Sequence, residues 1–198
     1  GGGAGHGDDS GATAQRLGAE LASKGVTSWA FKRVPDGYYD QDLSWRAGVL
    51  GAPSVEHLCK SILFVNKAAP DGTPDLGPFA ASRFYLVVVQ YCARLDTDRL
   101  KNAIKDLGTL TKKKLNLRLA PEEDNARLTG FEHNGVSPVG LRAAVPVVLS
   151  HRVAALEHFW MGGGEPDLKL RLRVEDFEAA YHPWVVDCTH DEEGPGKA

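Results

Sequence analysis

Two continuous apolar runs, at residues 62–65 and 84–89, constrain the fold of this chain more than any other feature. The second run is rich in β-branched and aromatic residues, which favour strands. A run without polar interruptions is typical of a strand buried on both faces, because a solvent-facing side would bring in polar residues. The sequence therefore predicts two buried strands, separated by a loop over residues 68–82 that is rich in proline, glycine and aspartate.

Short helices are predicted around these strands. They cover residues 12–24, residues 43–50, residues 54–57, a segment from Asp96 or Thr97 through Leu107, a segment opened by Pro121, and residues 175–181. Gly25 and Gly51 are expected to end the first two helices, since glycine readily adopts the left-handed backbone found at helix C-termini.

Further strands are predicted at residues 115–119, 145–149, 159–161 and 168–174. In the last of these, apolar and basic residues alternate, as in a strand with one buried face. The predicted inward residues are Leu168, Leu170, Leu172 and Val174, and the predicted outward, exposed residues are Lys169, Arg171 and Arg173. Since strands outnumber helices, we expect an α+β fold with a mixed, strongly curved, barrel-like sheet surrounded by short helices.

Length and composition indicate one soluble domain. The chain has 198 residues, of which 42% are hydrophobic and 25% charged, values that suit a single buried core. We expect this domain to cover residues 12–188, with disordered tails at 1–11 and 189–198, where glycine and polar residues predominate. A formal net charge of -3 gives no global basic field, so contact with RNA requires a local patch and DNA is not an expected partner.

The expected compartment is the cytoplasm. No apolar run approaches the roughly 20 residues that span a bilayer, and no signal peptide is evident, so no membrane partner is expected. The three cysteines are widely spaced and odd in number, which indicates free thiols in a reducing environment rather than a disulfide framework.

One lysine and one loop are the candidate functional features. Lys60 lies at the predicted junction of a short helix and a strand, and residues 135–138 form a kinked loop whose backbone can approach a ligand closely. A cation and oriented amides together can hold a polar acyl group without a metal or a protein nucleophile. Taken singly, both features are ordinary, because such lysines are usually solvated and such loops are usually turns.

Other chemistries have weaker support. Ser137 does not lie in the pattern of a nucleophile elbow, and Cys59 is expected to be a buried structural thiol rather than a thiolate activated by Lys60. His57, Cys59 and His133 lack the spacing of a zinc site. No metal and no cofactor are therefore expected.

Six short motifs follow one another in a distinctive order. They are Lys60-Ser61-Ile62-Leu63, Leu119-Ala120-Pro121-Glu122-Glu123, Thr129-Gly130, Gly135-Val136-Ser137-Pro138-Val139-Gly140, Pro146-Val147-Val148-Leu149, and Gly163-Gly164 followed by Leu168 and Leu170. In this order they resemble the YbaK/ProX family of aminoacyl-tRNA deacylases, which are related to the editing domain of bacterial prolyl-tRNA synthetase. The resemblance covers residues 54–177, and residues 38–60 resemble free-standing eukaryotic members.

The resemblance implies the fold of this family and hydrolysis of the ester that joins a wrong amino acid to the terminal adenosine of a tRNA. The expected substrate is tRNA-Pro carrying a small wrong amino acid such as alanine or cysteine. The implied catalytic residues are Lys60, whose ammonium holds the phosphate or the ester, and Gly135, whose loop amides position the ester carbonyl and a water. The implied substrate-binding residues are Ser61, Asn134, Val136, Ser137, Pro138, Gly162, Gly163 and Gly164.

Asn134 stands where the family has the first glycine of the loop. Asparagine tolerates a left-handed backbone, so we expect the loop to be retained. The departure nevertheless favours one alternative, a catalytically silent tRNA-binding or synthetase-docking module of the same fold. A hydrolase acting on a non-RNA ester is a second alternative.

The expected partner is the acceptor end of an aminoacyl-tRNA, with an aminoacyl-tRNA synthetase as a further candidate. The best local basic patch consists of Lys112, Lys113 and Lys114. Such a run is usually a solvated turn. In a tRNA-binding protein it is a candidate contact for phosphates of the acceptor stem.

Overall fold

The computed structural model of the protein describes residues 10–191. The α-helices in this part of the chain are α1 (Ala12–Ser23), α2 (Leu43–Leu50), α3 (Thr97–Asp106), α4 (Glu122–Thr129), α5 (His151–Ala154) and α6 (Val174–Tyr181). The strands are β1 (Ala30–Arg33), β2 (Cys59–Asn66), β3 (Phe84–Gln90), β4 (Leu117–Leu119), β5 (Val147–Ser150), β6 (His158–Gly162), β7 (Leu168–Arg173) and β8 (Trp184–Val186). Residues 1–9 and 192–198, which make up most of the two expected tails, lie outside the described residues.

The strands form two sheets. One has five strands in the order β4, β2, β3, β5, β8, and the other has three in the order β1, β7, β6. In the larger sheet β2 is antiparallel to β3 and β4, whereas β3, β5 and β8 are parallel. The predicted α+β class and the predicted mixed sheet are therefore confirmed.

The expected barrel-like closure is not found within residues 10–191. The outer strands β4 and β8 each pair with one neighbour, so the larger sheet stays open. The two sheets meet instead at a bridge between Leu58, directly before β2, and Trp160 in β6. This junction brings the beginning of β2 close to the end of β6.

The run at residues 84–89 is buried from both sides. Every residue of β3 is buried. Leu86 faces a core that it shares with α1, α6 and the smaller sheet, whereas Tyr85 on the opposite face packs in a cluster with Leu100 and Ile104 of α3. Complete burial of one side chain of this size stabilises the fold by about 1.5–3 kcal/mol. The first run differs at one position, because Ile62 is only half-buried where a cleft opens beside β2.

Most helix ends follow the sequence signals. Gly51 ends α2 in the left-handed conformation, with φ of 68°. Asp96 caps α3, and its carboxylate accepts hydrogen bonds from the backbone N–H groups of Asp98 and Arg99. This helix was predicted to run through Leu107, but it ends at Asp106, and Leu107 is its exposed C-cap.

The sequence patterns missed β1, β8 and α5. Each has only three or four residues, too few for a hydrophobic period to become visible. β4 is also shorter than predicted and begins at Leu117, because Leu117 pairs with Asn66, the last residue of β2. Thr189 is buried and bridges to Leu95, so packed structure continues past Cys188.

Candidate functional site

A cleft of about 390 Å³ lies where the beginning of β2 faces the end of β6 and the loop that follows α4. Five of the residues predicted to catalyse or bind substrate line it: Lys60, Ser61, Asn134, Val136 and Gly162. The three segments that carry these residues are far apart in sequence. They reach the cleft from two strands and one loop. Lys60 and the loop therefore face the same cleft, as a shared site requires.

The pairing of β2 explains why the cleft opens there. Along its whole length β2 pairs with β3 on one side. On the other side β4 pairs only with residues 64–66 of β2, so the first half of β2 has no β4 partner on that edge. Lys60 and Ser61 lie in this uncovered half.

Lys60 is a partly buried cation without an ion-pair partner in the described part of the chain. Its Nζ lies 5.5 Å from the centre of the Tyr91 ring, within the range of a cation–π contact. Glu122 lines the same cleft but forms no ion pair with it. The Lys60 charge is therefore available to an anionic or carbonyl group of a ligand.

Ser61 contributes a hydroxyl that has no hydrogen-bond partner among residues 10–191. Its Oγ is buried beside the cleft that Ser61 lines. Buried hydroxyls are nearly always hydrogen-bonded in folded proteins. An unpartnered one in a cleft is suited to a hydrogen bond with a ligand.

The loop is retained although asparagine replaces glycine at its first position. Asn134 adopts the left-handed conformation, with φ of 64°, as expected for asparagine at such a turn. The Gly135 N–H donates to the Glu132 carbonyl at 3.0 Å and is thus already engaged. Val136 lines the cleft, and its N–H donates to no acceptor within residues 10–191, which makes it the better candidate for a substrate contact.

The remaining predicted binding residues do not line the cleft. Ser137 is fully buried, and its Oγ accepts a hydrogen bond from the Val139 N–H at 3.1 Å. Pro138 lines a separate surface depression. The Gly163 N–H donates to the Leu168 carbonyl at 2.8 Å, and Gly164 turns the chain with φ of 99°. These residues shape the loop and the end of β6 without lining the cleft.

Lys169 was predicted to lie on an exposed face of its strand, and this prediction is wrong. Lys169 is only 5% exposed and lines the cleft. It pairs with Gly162 in the sheet, and its ammonium lies against the rings of Tyr38 and Tyr39. Burial lowers the pKa of Lys169 to about 8, with a smaller contribution from the nearby Arg46 guanidinium. The predicted inward residues Leu168, Leu170 and Leu172 are buried, as expected.

Aromatic rings separate the cations around the cleft. The Arg46 guanidinium lies 5.5 Å from the ring centres of Tyr38 and Tyr39 and 5.8 Å from that of Tyr91. The Lys169 Nζ lies 4.7 Å from the centre of the Tyr39 ring. No sequence pattern indicated these tyrosines or Arg46. A single turn of 3₁₀ helix at residues 38–40 has no periodic signal, and Arg46 in α2 and Tyr91 directly after β3 belong to none of the six motifs.

The predicted tRNA contact residues lie away from the cleft. Residues 112–114 form an exposed 3₁₀ turn, and the Asn66 side-chain amide donates to the Lys114 carbonyl at 2.8 Å. Lys60 and Asn66 lie at opposite ends of β2, about 20 Å apart at the rise of an extended strand. A ligand must extend well beyond the cleft to contact both.

Alternative chemistries find no geometric support in the described part of the chain. Between residues 10 and 191 no group of three His, Cys, Asp or Glu side chains is placed to hold a metal ion. Cys59 is buried, which raises the pKa of its thiol far above the usual range, as expected of a structural cysteine. None of the helices in this region is long and apolar enough to cross a membrane.

Comparison with known proteins indicates the family. The sequence model of a family described as the aminoacyl-tRNA editing domain matches residues 50–180. No curated protein sequence gives a significant match.

Several solved structures share the fold. A candidate trans-editing enzyme for prolyl tRNA synthetase is 23% identical and has a TM-score of 0.71, over 91% of this chain and 99% of that one. A scaffold protein used in computational epitope grafting is also 23% identical, with a TM-score of 0.68 over the same shares of the two chains. The hypothetical protein APE2540 is 19% identical, with a TM-score of 0.67 over 88% of this chain and 99% of that one.

Proposed function

The chain belongs to the aminoacyl-tRNA editing domain family, and on this basis we propose that it is a trans-editing hydrolase of the YbaK/ProX type. The proposed substrate is a mischarged aminoacyl-tRNA, with tRNA-Pro carrying alanine or cysteine as the first candidate. The protein would bind the acceptor end, and a synthetase that releases the mischarged tRNA is a candidate partner. Such a role places the protein in the cytoplasm.

The observation that carries the proposal is the meeting of Lys60 with the loop at Asn134 and Val136 in one cleft. A hydrolase of an activated ester needs little more than a positioned substrate, a water and charge stabilisation where the oxyanion develops. The cleft offers an unpaired ammonium, an unengaged backbone N–H and a buried hydroxyl. These groups suit an ester flanked by a phosphate.

In the proposed reaction the oxygen of a water attacks the carbonyl carbon of the aminoacyl ester. The bond between that carbon and the ribose oxygen breaks, and the ribose oxygen leaves with a proton that the water supplies through solvent. The Lys60 ammonium holds the terminal phosphate or the ester oxygen, and the Val136 N–H donates to the developing oxyanion. The Ser61 hydroxyl orients the amino acid or the water.

A deacylation assay over a panel of mischarged tRNAs tests the proposal. Wild type, Lys60→Ala and the control Lys105→Ala are compared, because Lys105 is an exposed lysine of α3 that is not part of the cleft. We expect turnover of at least one mischarged tRNA, a loss of about 100-fold or more in Lys60→Ala, and no change in the control. Equal turnover in wild type and Lys60→Ala would contradict the role of Lys60.

The alternative of a silent tRNA-binding or synthetase-docking module is favoured by the departure from glycine at Asn134. It predicts binding of tRNA without turnover of any member of the panel. The retained left-handed conformation of Asn134 supports the hydrolase. Competition by uncharged tRNA distinguishes both from a hydrolase of a non-RNA ester, which free tRNA would not inhibit.

A further inference from the structure

Lys169 is unusual because it buries a charge without a carboxylate partner in the described part of the chain. Its ammonium is surrounded by the rings of Tyr38 and Tyr39, with the Arg46 guanidinium as a neighbouring like charge. Lysines are almost never this buried unless paired, since removing an ammonium from water is costly. A residue kept in such a place needs a reason other than stability.

The hydrogen bonds of the Tyr39 hydroxyl provide such a reason. The Lys169 ammonium donates a hydrogen bond to this hydroxyl. The hydroxyl lies 3.0 Å from the Asn134 carbonyl oxygen and 3.2 Å from the Pro166 carbonyl oxygen, and its single proton is donated to them. Because an ammonium only donates, it leaves the tyrosine proton no direction but the carbonyls. Lys169 thereby fixes the direction of the whole chain of hydrogen bonds.

The peptide between Asn134 and Gly135 is held at both ends. Its carbonyl oxygen accepts from Tyr39, and its N–H donates to the Glu132 carbonyl at 3.0 Å. A peptide unit is planar, so fixing both of these groups fixes the orientation of the plane. The next N–H along the chain belongs to Val136, and only the φ and ψ of Gly135 separate it from that plane. On its other side the Val136 carbonyl packs against Gly162, which limits the freedom of these two angles.

We propose that Lys169 is a positioning residue, which acts through Tyr39 to hold the Asn134–Gly135 peptide and so to fix the Val136 N–H at the wall of the cleft. Its importance for turnover rests on the proposed hydrolase function, but its effect on the loop does not. Tyr39, which holds the loop, belongs to the segment at residues 38–40. This segment precedes the region matched by the editing-domain family. Part of the site is therefore built by a segment outside that region.

The first test measures the loop without any substrate. Amide hydrogen exchange at residues 134–137 is compared in wild type, Lys169→Met, Tyr39→Phe and the double variant, with Lys105→Met as the control. Methionine keeps most of the lysine stem between the tyrosine rings and removes the charge. We expect each single variant to raise loop exchange about tenfold, the double variant to be no worse than either single one, and the control to match wild type.

The second test measures turnover with the same variants. We expect Lys169→Met and Tyr39→Phe to lower kcat by a similar factor, with little change in KM, and the double variant to equal the singles, because removal of either residue breaks the same chain of hydrogen bonds. Multiplied losses in the double variant, or loop exchange that stays at the wild-type rate in both singles, would overturn the proposal. Tyr39→Phe removes one oxygen and keeps the ring, so it guards against a folding defect in Lys169→Met.

The two proposals fail in distinguishable ways. If wild type deacylates no tRNA but the loop responds to both substitutions, the positioning role stands and the hydrolase function fails. If wild type is active and neither substitution affects the loop or kcat, the hydrolase function stands and the positioning role fails.

Discussion

Gly162 lies directly against the carbonyl oxygen of Val136. A Cβ atom at position 162 would be 2.1 Å from that oxygen, far inside the van der Waals limit. The end of β6 and the loop at residues 134–138 can thus approach this closely only because position 162 has no side chain. Any side chain at position 162 must displace the loop.

Gly162→Ala should therefore impair both stability and turnover. We expect the free energy of unfolding to fall by about 1–3 kcal/mol, as is usual when a packed site is overfilled. Turnover should fall at least tenfold, because a shift of about 1 Å near the reacting atoms is costly. Chemical denaturation and the deacylation assay provide the two measurements.

Gly48→Ala is the matched control for this substitution. Gly48 lies in α2, and a Cβ there would meet no atom within 4 Å. Alanine in a helix is favoured over glycine by about 0.5–1 kcal/mol, so Gly48→Ala should stabilise the protein and leave turnover unchanged. If both variants lost stability equally, the close approach at Gly162 would not be the cause.

Ser61→Ala should separate function from stability. The Ser61 Oγ is buried and has no partner within residues 10–191, so its removal should leave the free energy of unfolding unchanged or raise it by up to about 1 kcal/mol. Turnover should drop about tenfold, because the hydroxyl is proposed to contact the ligand. Ser61→Thr keeps the hydroxyl and should retain turnover.

Ser137→Ala, unlike Ser61→Ala, should lower the stability of the protein. This buried hydroxyl is satisfied by the Val139 N–H, so its removal leaves that donor unpaired and should destabilise the protein by about 1 kcal/mol or more. A stability loss of the same size in Ser61→Ala would indicate that its hydroxyl is bonded after all.

The sequence predicted Lys60 and the loop but not Lys169, and the difference is physical. Lys60 and the loop lie in contiguous motifs, so their order along the chain indicates a common site. Alternation separates Lys169 from the core residues Leu168 and Leu170 but implies that the face of Lys169 is exposed. Tyr38 and Tyr39, which are distant in sequence, cover the lysine instead. No local pattern records such a long-range contact.

The elements of the fold that have strong local sequence signals were likewise predictable, and the others were not. Runs such as β3, and caps such as Asp96 and Gly51, carry strong local signals, and these elements were found. β1 and β8 are edge strands of three or four residues whose structure depends on the neighbour they join. The open form of the sheets is likewise decided by pairing between distant strands, which no local pattern records.

The basic run at residues 112–114 should affect binding more than turnover. It lies at the far end of β2 from Lys60, so any phosphate that it contacts lies outside the cleft. Replacing all three lysines by alanine should weaken tRNA binding and reduce the slope of log K against log salt by roughly 0.7–0.9 for each phosphate that the variant no longer neutralises. kcat at saturating tRNA should be unchanged.

A charge-matched control replaces Lys24, Lys32 and Arg173 by alanine. Lys24 follows α1, Lys32 lies in β1 and Arg173 in β7, so this variant lowers the net charge by the same amount in elements other than α3, which contacts residues 112–114. Its salt slope should equal that of wild type. Equal slopes in both triple variants would show that residues 112–114 do not contact the tRNA.

The three cysteines should differ sharply in reactivity. Cys92 is exposed, whereas Cys59 and Cys188 are buried. Burial also raises the pKa of Cys188 to about 11, so at pH 7.5 neither buried thiol offers appreciable thiolate. A maleimide reagent should label one thiol per folded chain, and Cys92→Ser should abolish fast labelling without affecting turnover. Rapid modification of Cys59 would reopen a thiolate role next to Lys60.

Lys169→Met should stabilise the folded protein in a pH-dependent way. Burial lowers the pKa of Lys169 from 10.5 to about 8 in the folded state. Between these pH values the unfolded chain binds a proton that the folded protein does not, so the stability of wild type rises with pH across this window. Below pH 8 the buried charge destabilises wild type by about 3 kcal/mol relative to a neutral side chain. The variant avoids this cost but loses the hydrogen bond to Tyr39, which offsets about 1 kcal/mol of the gain.

Lys169→Met should therefore exceed wild type by about 2 kcal/mol in free energy of unfolding at pH 7, and the difference should shrink as the pH rises from 8 to 10.5. Denaturant unfolding of both proteins across this range measures it, since other titrating groups cancel in the difference. Lys105→Met should give a difference from wild type that does not change with pH, because Lys105 is exposed. A constant difference for Lys169→Met as well would mean that Lys169 reaches solvent in the folded protein. Higher stability with lower turnover would instead identify Lys169 as a residue retained for the site.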